Sequence, residues 1–145
     1  MSEDPYNLRR FVEAQDDAAI YARALGELRD GHKQSHWIWF VFPQIAGLGS
    51  SPISQAYAIH SLDEARAFLA HPTLGPRLRE SVEALLANDP SLTAERILGT
   101  IDAIKVRSSM TLFTKADPAE PLFSKVLARF YASEPDPATI SRLGP

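Results

Sequence analysis

The sequence predicts an all-α fold: a compact single-domain bundle of about seven to nine short helices around a central helix at about 100–113. Three observations carry this. Apolar residues recur at i, i+3 and i+4 in one segment after another, each bounded by Pro, Gly, Asp or Ser. No Asn-Gly or Asp-Gly turn lies between alternating runs, and Asp30-Gly31 reads as a helix stop. The 145 residues are 45% hydrophobic and 23% charged, enough to bury one core without staples, so residues 1–145 are expected to form a single domain.

Taken in order, Leu8, Phe11 and Val12 mark a first helix after Asp4-Pro5. Asp16 or Asp17 is expected to cap a second, whose face holds Ile20, Ala24, Leu25 and Leu28 and which stops at Gly31. Trp37-Ile38-Trp39-Phe40-Val41-Phe42 is apolar all round, so residues 35–42 are expected as a short buried helix ended by Pro43, with Ser35 at its N-cap. Ser50 or Ser51 can cap the helix leading to Tyr57. Ser61 and Glu64 form a capping box ahead of Ala65, Phe68 and Leu69, and Pro72 ends that helix. Pro76 fits the first turn of the next, with Leu78, Val82, Leu85 and Leu86 at helical spacing. A short turn at Ile97 and Leu98 closes at Gly99, and Thr100 is expected to cap the central helix. Leu122, Val126, Leu127 and Phe130 define the penultimate helix; Asp136-Pro137 opens a last one that Gly144 closes.

Composition narrows the function. Without cysteine there is no disulfide, thiolate nucleophile or Cys-ligated metal. Fifteen Lys+Arg against 18 Asp+Glu leave a net charge of −3, which argues against nucleic-acid and anionic-membrane binding. The polar start MSEDPYNLRRF lacks the apolar core of a secretory signal, and no apolar run approaches the roughly 18–20 residues of a membrane span, so a cytoplasmic protein is expected. His32 and His36 stand four apart, but no third ligand and no HExxH accompany them, so no metal site is expected. Gly47-Leu48-Gly49 lacks the third glycine and the βαβ setting of a dinucleotide fingerprint. No cofactor is expected. The loop from Pro43 to Ser54 can fold over a pocket or simply connect two helices.

Polar groups embedded in apolar sequence concentrate in two places. At residues 31–36, His36 is expected to enter the core. The amides at the start of the 35–42 helix, with Lys33 beside them, would make a modest anion site. On the central helix, Asp102, Lys105 and Ser109 share one side while Arg107 lies opposite, and Ile101, Ile104 and Leu112 form one of two apolar faces. Charges there must be paired, opened to a cleft or shifted in pKa. Asp102–Lys105 can be a structural ion pair. Arg107 can clamp another helix through carbonyls or through Glu64, Glu80 or Glu83. Alternatively these groups line a pocket for an anion.

The segments His36–Gln44 and Ile104–Phe113, together with Gly47-Leu48-Gly49-Ser50, Tyr57-Ala58-Ile59 and the His71-Pro72/Leu74-Gly75/Arg77-Leu78 run, resemble a family of uncharacterised bacterial and fungal proteins, mycobacterial members among them. It is a domain of unknown function, and some fungal members carry the label calpastatin. The resemblance spans about residues 6–143 and implies a single all-helical domain; it implies no activity, cofactor or catalytic residue.

Two functional readings follow. In the first, a cleft between the 35–42 and 100–113 helices binds an anionic metabolite. Lys33, Lys105 and Arg107 supply charge, Ser108 and Ser109 hydroxyls, and Trp37 or Trp39 a stacking wall. His36 is then the one acid/base candidate near neutral pH, oriented by Asp102. In the second, the polar groups only hold the helices together and an apolar surface patch meets a protein partner, with no ligand pocket.

Overall fold

The computed structural model describes residues 4–144; Met1–Glu3 and Pro145, the ends of the expected 1–145 domain, lie outside the described residues. These fold as ten α-helices: α1 (Arg9–Asp16), α2 (Ile20–Asp30), α3 (Ile38–Val41), α4 (Pro52–Ala56), α5 (Leu62–Ala70), α6 (Leu74–Leu86), α7 (Ala94–Leu98), α8 (Thr100–Ala116), α9 (Pro121–Phe130) and α10 (Pro137–Leu143). The all-α expectation holds. Among the described residues the one departure from helix pairing is an isolated parallel bridge, Ile45 to Ile59, which ties the loop after α3 to the connection between α4 and α5. Among the described residues no helix is long and apolar enough to cross a membrane.

Local chemistry accounts for several helix ends. Ser51, Ser61, Thr93 and Asp136 each accept a backbone N–H through the side chain and start α4, α5, α7 and α10. Gly31 closes α2 in a left-handed conformation (φ 70°), where a Cβ would also stand 2.5 Å from Asn88 Oδ1.

Four expectations are corrected here. Neither Asp16 nor Asp17 caps α2; a 3-10 turn, Asp17–Ala19, joins it to α1, and Asp16 pairs instead with Arg77 at 2.9 Å. Thr100 is the first residue of α8, whose N-cap is Gly99, and the helix runs on to Ala116. The aromatic helix is one turn, Ile38–Val41, beginning at Trp37 rather than Ser35. Glu64 reaches past the N-cap to the N–H of His60, 2.9 Å away, so the box is shifted by one residue.

Helix α8 is central, packing against α3, α5, α7, α9 and α10. From Ser108 to Phe113 every side chain is buried, as are Ala103, Val106 and Ala116. Its first third behaves differently. Ile101 and Ile104 are 70% and 61% exposed, so the apolar face expected to join them with buried Leu112 does not close. Between α8 and the N-terminal helices runs a chain of aromatic contacts: Trp39, Phe40, Tyr57, Phe11, Phe68, Phe113 and Phe123 touch in succession at centroid separations of 4.7–5.8 Å. Buried Gln15 stitches α1 to α3 through the carbonyl of Phe40 and to α6 through Arg77.

Candidate functional site

Two polar networks and one cleft emerge where the sequence concentrates its polar groups. The first network surrounds Glu27 on α2. Its carboxylate accepts from the amides of Gln34 and Ser35, the Ser35 hydroxyl (2.6 Å) and the Trp37 indole N–H (2.8 Å). Burial alone would raise its pKa; these four donors outweigh burial and hold it at about 2. The amides of Gln34 and Ser35 thus serve the protein's own carboxylate, and they precede α3 rather than open it, which corrects the anion site expected at the start of a 35–42 helix. Trp37, only 1% exposed, is a core and hydrogen-bonding residue rather than a ligand wall.

The second network crosses from this segment to α8. Lys33, its side chain 7% exposed, places its ammonium 2.7 Å from Asp102 Oδ2 and 2.6 Å from the Ser35 carbonyl, above the Trp37 ring. Lys33 is thus consumed by structure. His36 is exposed and precedes α3, which corrects its expected entry into the core. Asp102 orients Lys33, not an imidazole.

Beside this network lies a cleft of about 320 Å³ between the 44–49 loop, the start of α8 and the start of α10. Its walls include Leu48, Ile101, Ile104 and Ala138, with Gln44, Lys105, Ser108 and Asp136 as the polar groups. Lys105 and Gln44 also border a void of about 10 Å³ against Trp39 and Ile38, at the threshold for one water. The Lys105 ammonium sits 5.1 Å from the Trp39 ring centroid and 3.8 Å from Asp102 Oδ1. The buried indole Nε1 of Trp39 has no hydrogen-bond partner among the described residues.

The loop forming one wall is fixed at both ends. Ala46 N–H donates to Ile59 O and Ile59 N–H to Gln44 O, while Arg142 donates to the carbonyl of Gly47. Gly47 has φ 96°, a left-handed conformation that favours glycine, and a Cβ there would push the end of the Arg142 side chain aside. Asp136 serves two purposes. It caps α10 through Thr139 and accepts from the Ser108 hydroxyl at 2.9 Å. Burial would raise its pKa, but those donors and the charge of Arg107 keep it below the ordinary carboxylate range.

Of the residues singled out from sequence, Lys105 and Ser108 meet at this cleft, with Asp102 behind Lys105 and Trp39 in the adjoining small void. Arg107 lies elsewhere and clamps the α9–α10 connection through the carbonyls of Glu134 and Pro135. None of Glu64, Glu80 and Glu83 is its partner: Glu64 belongs to Arg10, whose guanidinium also binds the carbonyls of Tyr6, Asn7, Ala56 and Ala58. Ser109 is fully buried and its hydroxyl unpartnered, so it faces the core rather than a ligand. No group of three or more metal-ligating side chains is found among the described residues. Sequence reasoning missed Glu27, Arg10 and Asp136 as network centres. Only Asp136 carried a signal, as the N-cap of α10; Glu27 acts on a loop 7–10 residues on and Arg10 on groups 46–54 residues away, neither of these at a helical spacing.

The family described as "Protein of unknown function (DUF1810)" matches residues 5–143. The structure is similar to the crystal structure of the conserved hypothetical protein Rv1873 from Mycobacterium tuberculosis. The TM-score is 0.94 at 45% identity, covering 98% of this chain and 99% of that one. No curated protein matches the chain.

Proposed function

The chain belongs to the DUF1810 family, whose function is unknown, and from its own geometry we propose that it is a cytoplasmic protein that binds a small organic anion in the cleft at Lys105. The supporting observation is the charge count at that point. Asp102 is claimed by Lys33 at 2.7 Å and lies 3.8 Å from Lys105, so two cations share one carboxylate. Lys105, with its side chain 23% exposed, is the cation left to face the cleft. The Trp39 ring lies 5.1 Å from its ammonium, and Ser108 stands on the cleft wall, its hydroxyl turned to Asp136.

Binding fits this cleft better than catalysis. With His36 outside, no imidazole lines the cleft to carry protons near neutral pH. No nucleic acid or membrane enters this reading.

A panel of small carboxylates and phosphate esters, screened by thermal shift against wild type and Lys105→Met, tests it. A charge-assisted contact of about 1.5–3 kcal/mol predicts that the substitution weakens binding about 10–100-fold. If no anion stabilises wild type, or Lys105→Met responds equally, the proposal fails.

A second reading draws on the exposure of Ile101 and Ile104: this face meets a protein partner. It predicts capture of that partner by wild type and by Lys105→Met alike, and loss of capture in Ile101→Ser/Ile104→Ser.

A further inference from the structure

Resting on the anion-binding reading, the geometry points to a ligand of one class: a monoanionic amphiphile, a single carboxylate on a hydrocarbon body, with Ile101 and Ile104 as the residues that select the body. Charge sets the valence. One cation, Lys105, is left over in the cleft, and the Asp136 carboxylate stands at the other side of the same space, where it would repel a second negative charge. Asp102 and Asp136 both oppose added negative charge here, so a phosphate dianion or polyphosphate meets more repulsion at Lys105 than a single carboxylate does.

The walls set the body. Ile101 and Ile104 are the two large apolar side chains that the fold leaves mostly in water, and both line this cleft together with Leu48 and Ala138. They follow one another at i, i+3 on α8, one turn ahead of Ser108, so they form a continuous apolar strip on the wall that also carries Lys105. An apolar body laid on that strip removes both side chains from water, which a sugar or a polyol would do at the cost of its own hydration. The volume of about 320 Å³ is at the small end of ligand pockets, which suits a short hydrocarbon acid rather than a nucleotide.

The test is a titration of the ¹⁵N-labelled full chain with acetate, butanoate, hexanoate, phenylacetate and inorganic phosphate, read at the amides of residues 44–49 and 101–108. The expected result is binding that tightens about fourfold per added methylene, with phosphate weaker than hexanoate. Ile101→Ser/Ile104→Ser removes only exposed side chains, so it should leave the fold intact, flatten the chain-length dependence and leave acetate unchanged. Lys105→Met should weaken every carboxylate. If affinity depends on Lys105 but not on chain length, or phosphate binds more tightly than hexanoate, the amphiphile is refuted while the anion site stands. If none of these probes shifts the cleft amides, both readings fall together. If only macromolecular capture depends on the isoleucines, the strip is a protein contact and the inference is overturned.

Discussion

Replacing Glu27 with alanine removes the acceptor around which residues 34–37 are folded. The carboxylate's pKa falls from 4.5 to about 2 on folding, a difference of about 3 kcal/mol at about 1.4 kcal/mol per unit. Partial exposure reduces this to about 2 kcal/mol. Alanine also leaves the Trp37 indole N–H without a partner inside a nearly closed core, while the amides of 34 and 35 can turn to water. The expected loss is therefore about 2–3 kcal/mol, or about 6–10 °C in Tm for a chain of this length. The pH dependence gives the sharper signature. A carboxylate whose folded pKa is depressed contributes fully above its unfolded value near 4.5, and the contribution disappears as pH falls through the folded value of about 2. Urea unfolding of wild type and Glu27→Ala between pH 7 and pH 2 should show a constant gap above about pH 5 that narrows steadily below it. A gap under about 0.5 kcal/mol at pH 7, or one that stays level down to pH 2, would refute the assignment of Glu27 as the internal anion.

Other expectations follow from the same contacts. Glu64→Gln leaves the Arg10 guanidinium in its cage of four carbonyls without its buried counter-charge, and urea unfolding should register a loss of about 3 kcal/mol. Ser109→Ala removes a buried hydroxyl that has no partner and improves helix propensity, so stability should rise by about 0.5–1.5 kcal/mol; a loss of that size would mean the hydroxyl is satisfied. Burial, together with Glu80 for Tyr21 and the charge of Glu95 for Tyr131, holds two of the four phenols well above pH 10. An absorbance titration should therefore leave the phenolate signal of these two undeveloped at pH about 11 until the protein unfolds. Because the folded state holds those protons more tightly, stability must decline as pH climbs beyond about 10.

The all-α class and most helix boundaries were legible because they depend on groups within about four residues of one another. Ser61, Asp136-Pro137, Gly31 and Gly99 each act on their own turn of backbone, and each acts in the structure at the place its spacing indicates. The errors at α2 and α3 have a common source. Both starts lie in tight connections where tertiary partners displaced the local ones: Asp16 turned to Arg77, and the Ser35 hydroxyl turned to Glu27.

The cleft was half legible. That α8 would carry its charges near the interior followed from apolar residues on two of its sides, and the side chains of Asp102, Lys105 and Arg107 are indeed only 18–29% exposed. Which cation would be spent was invisible. Lys33, Lys105 and Arg107 are equivalent as letters, and a one-dimensional pattern holds no information on which carboxylate or carbonyl each will meet. The chain path decided it, bringing Lys33 onto Asp102 and the 134–135 carbonyls onto Arg107 and leaving Lys105 beside Trp39. Hydrogen-bonded turns are short-range and so are encoded in spacing; the pairing of charges is decided by distances of a few ångströms between residues far apart in the chain, and those distances exist only once the helices have packed.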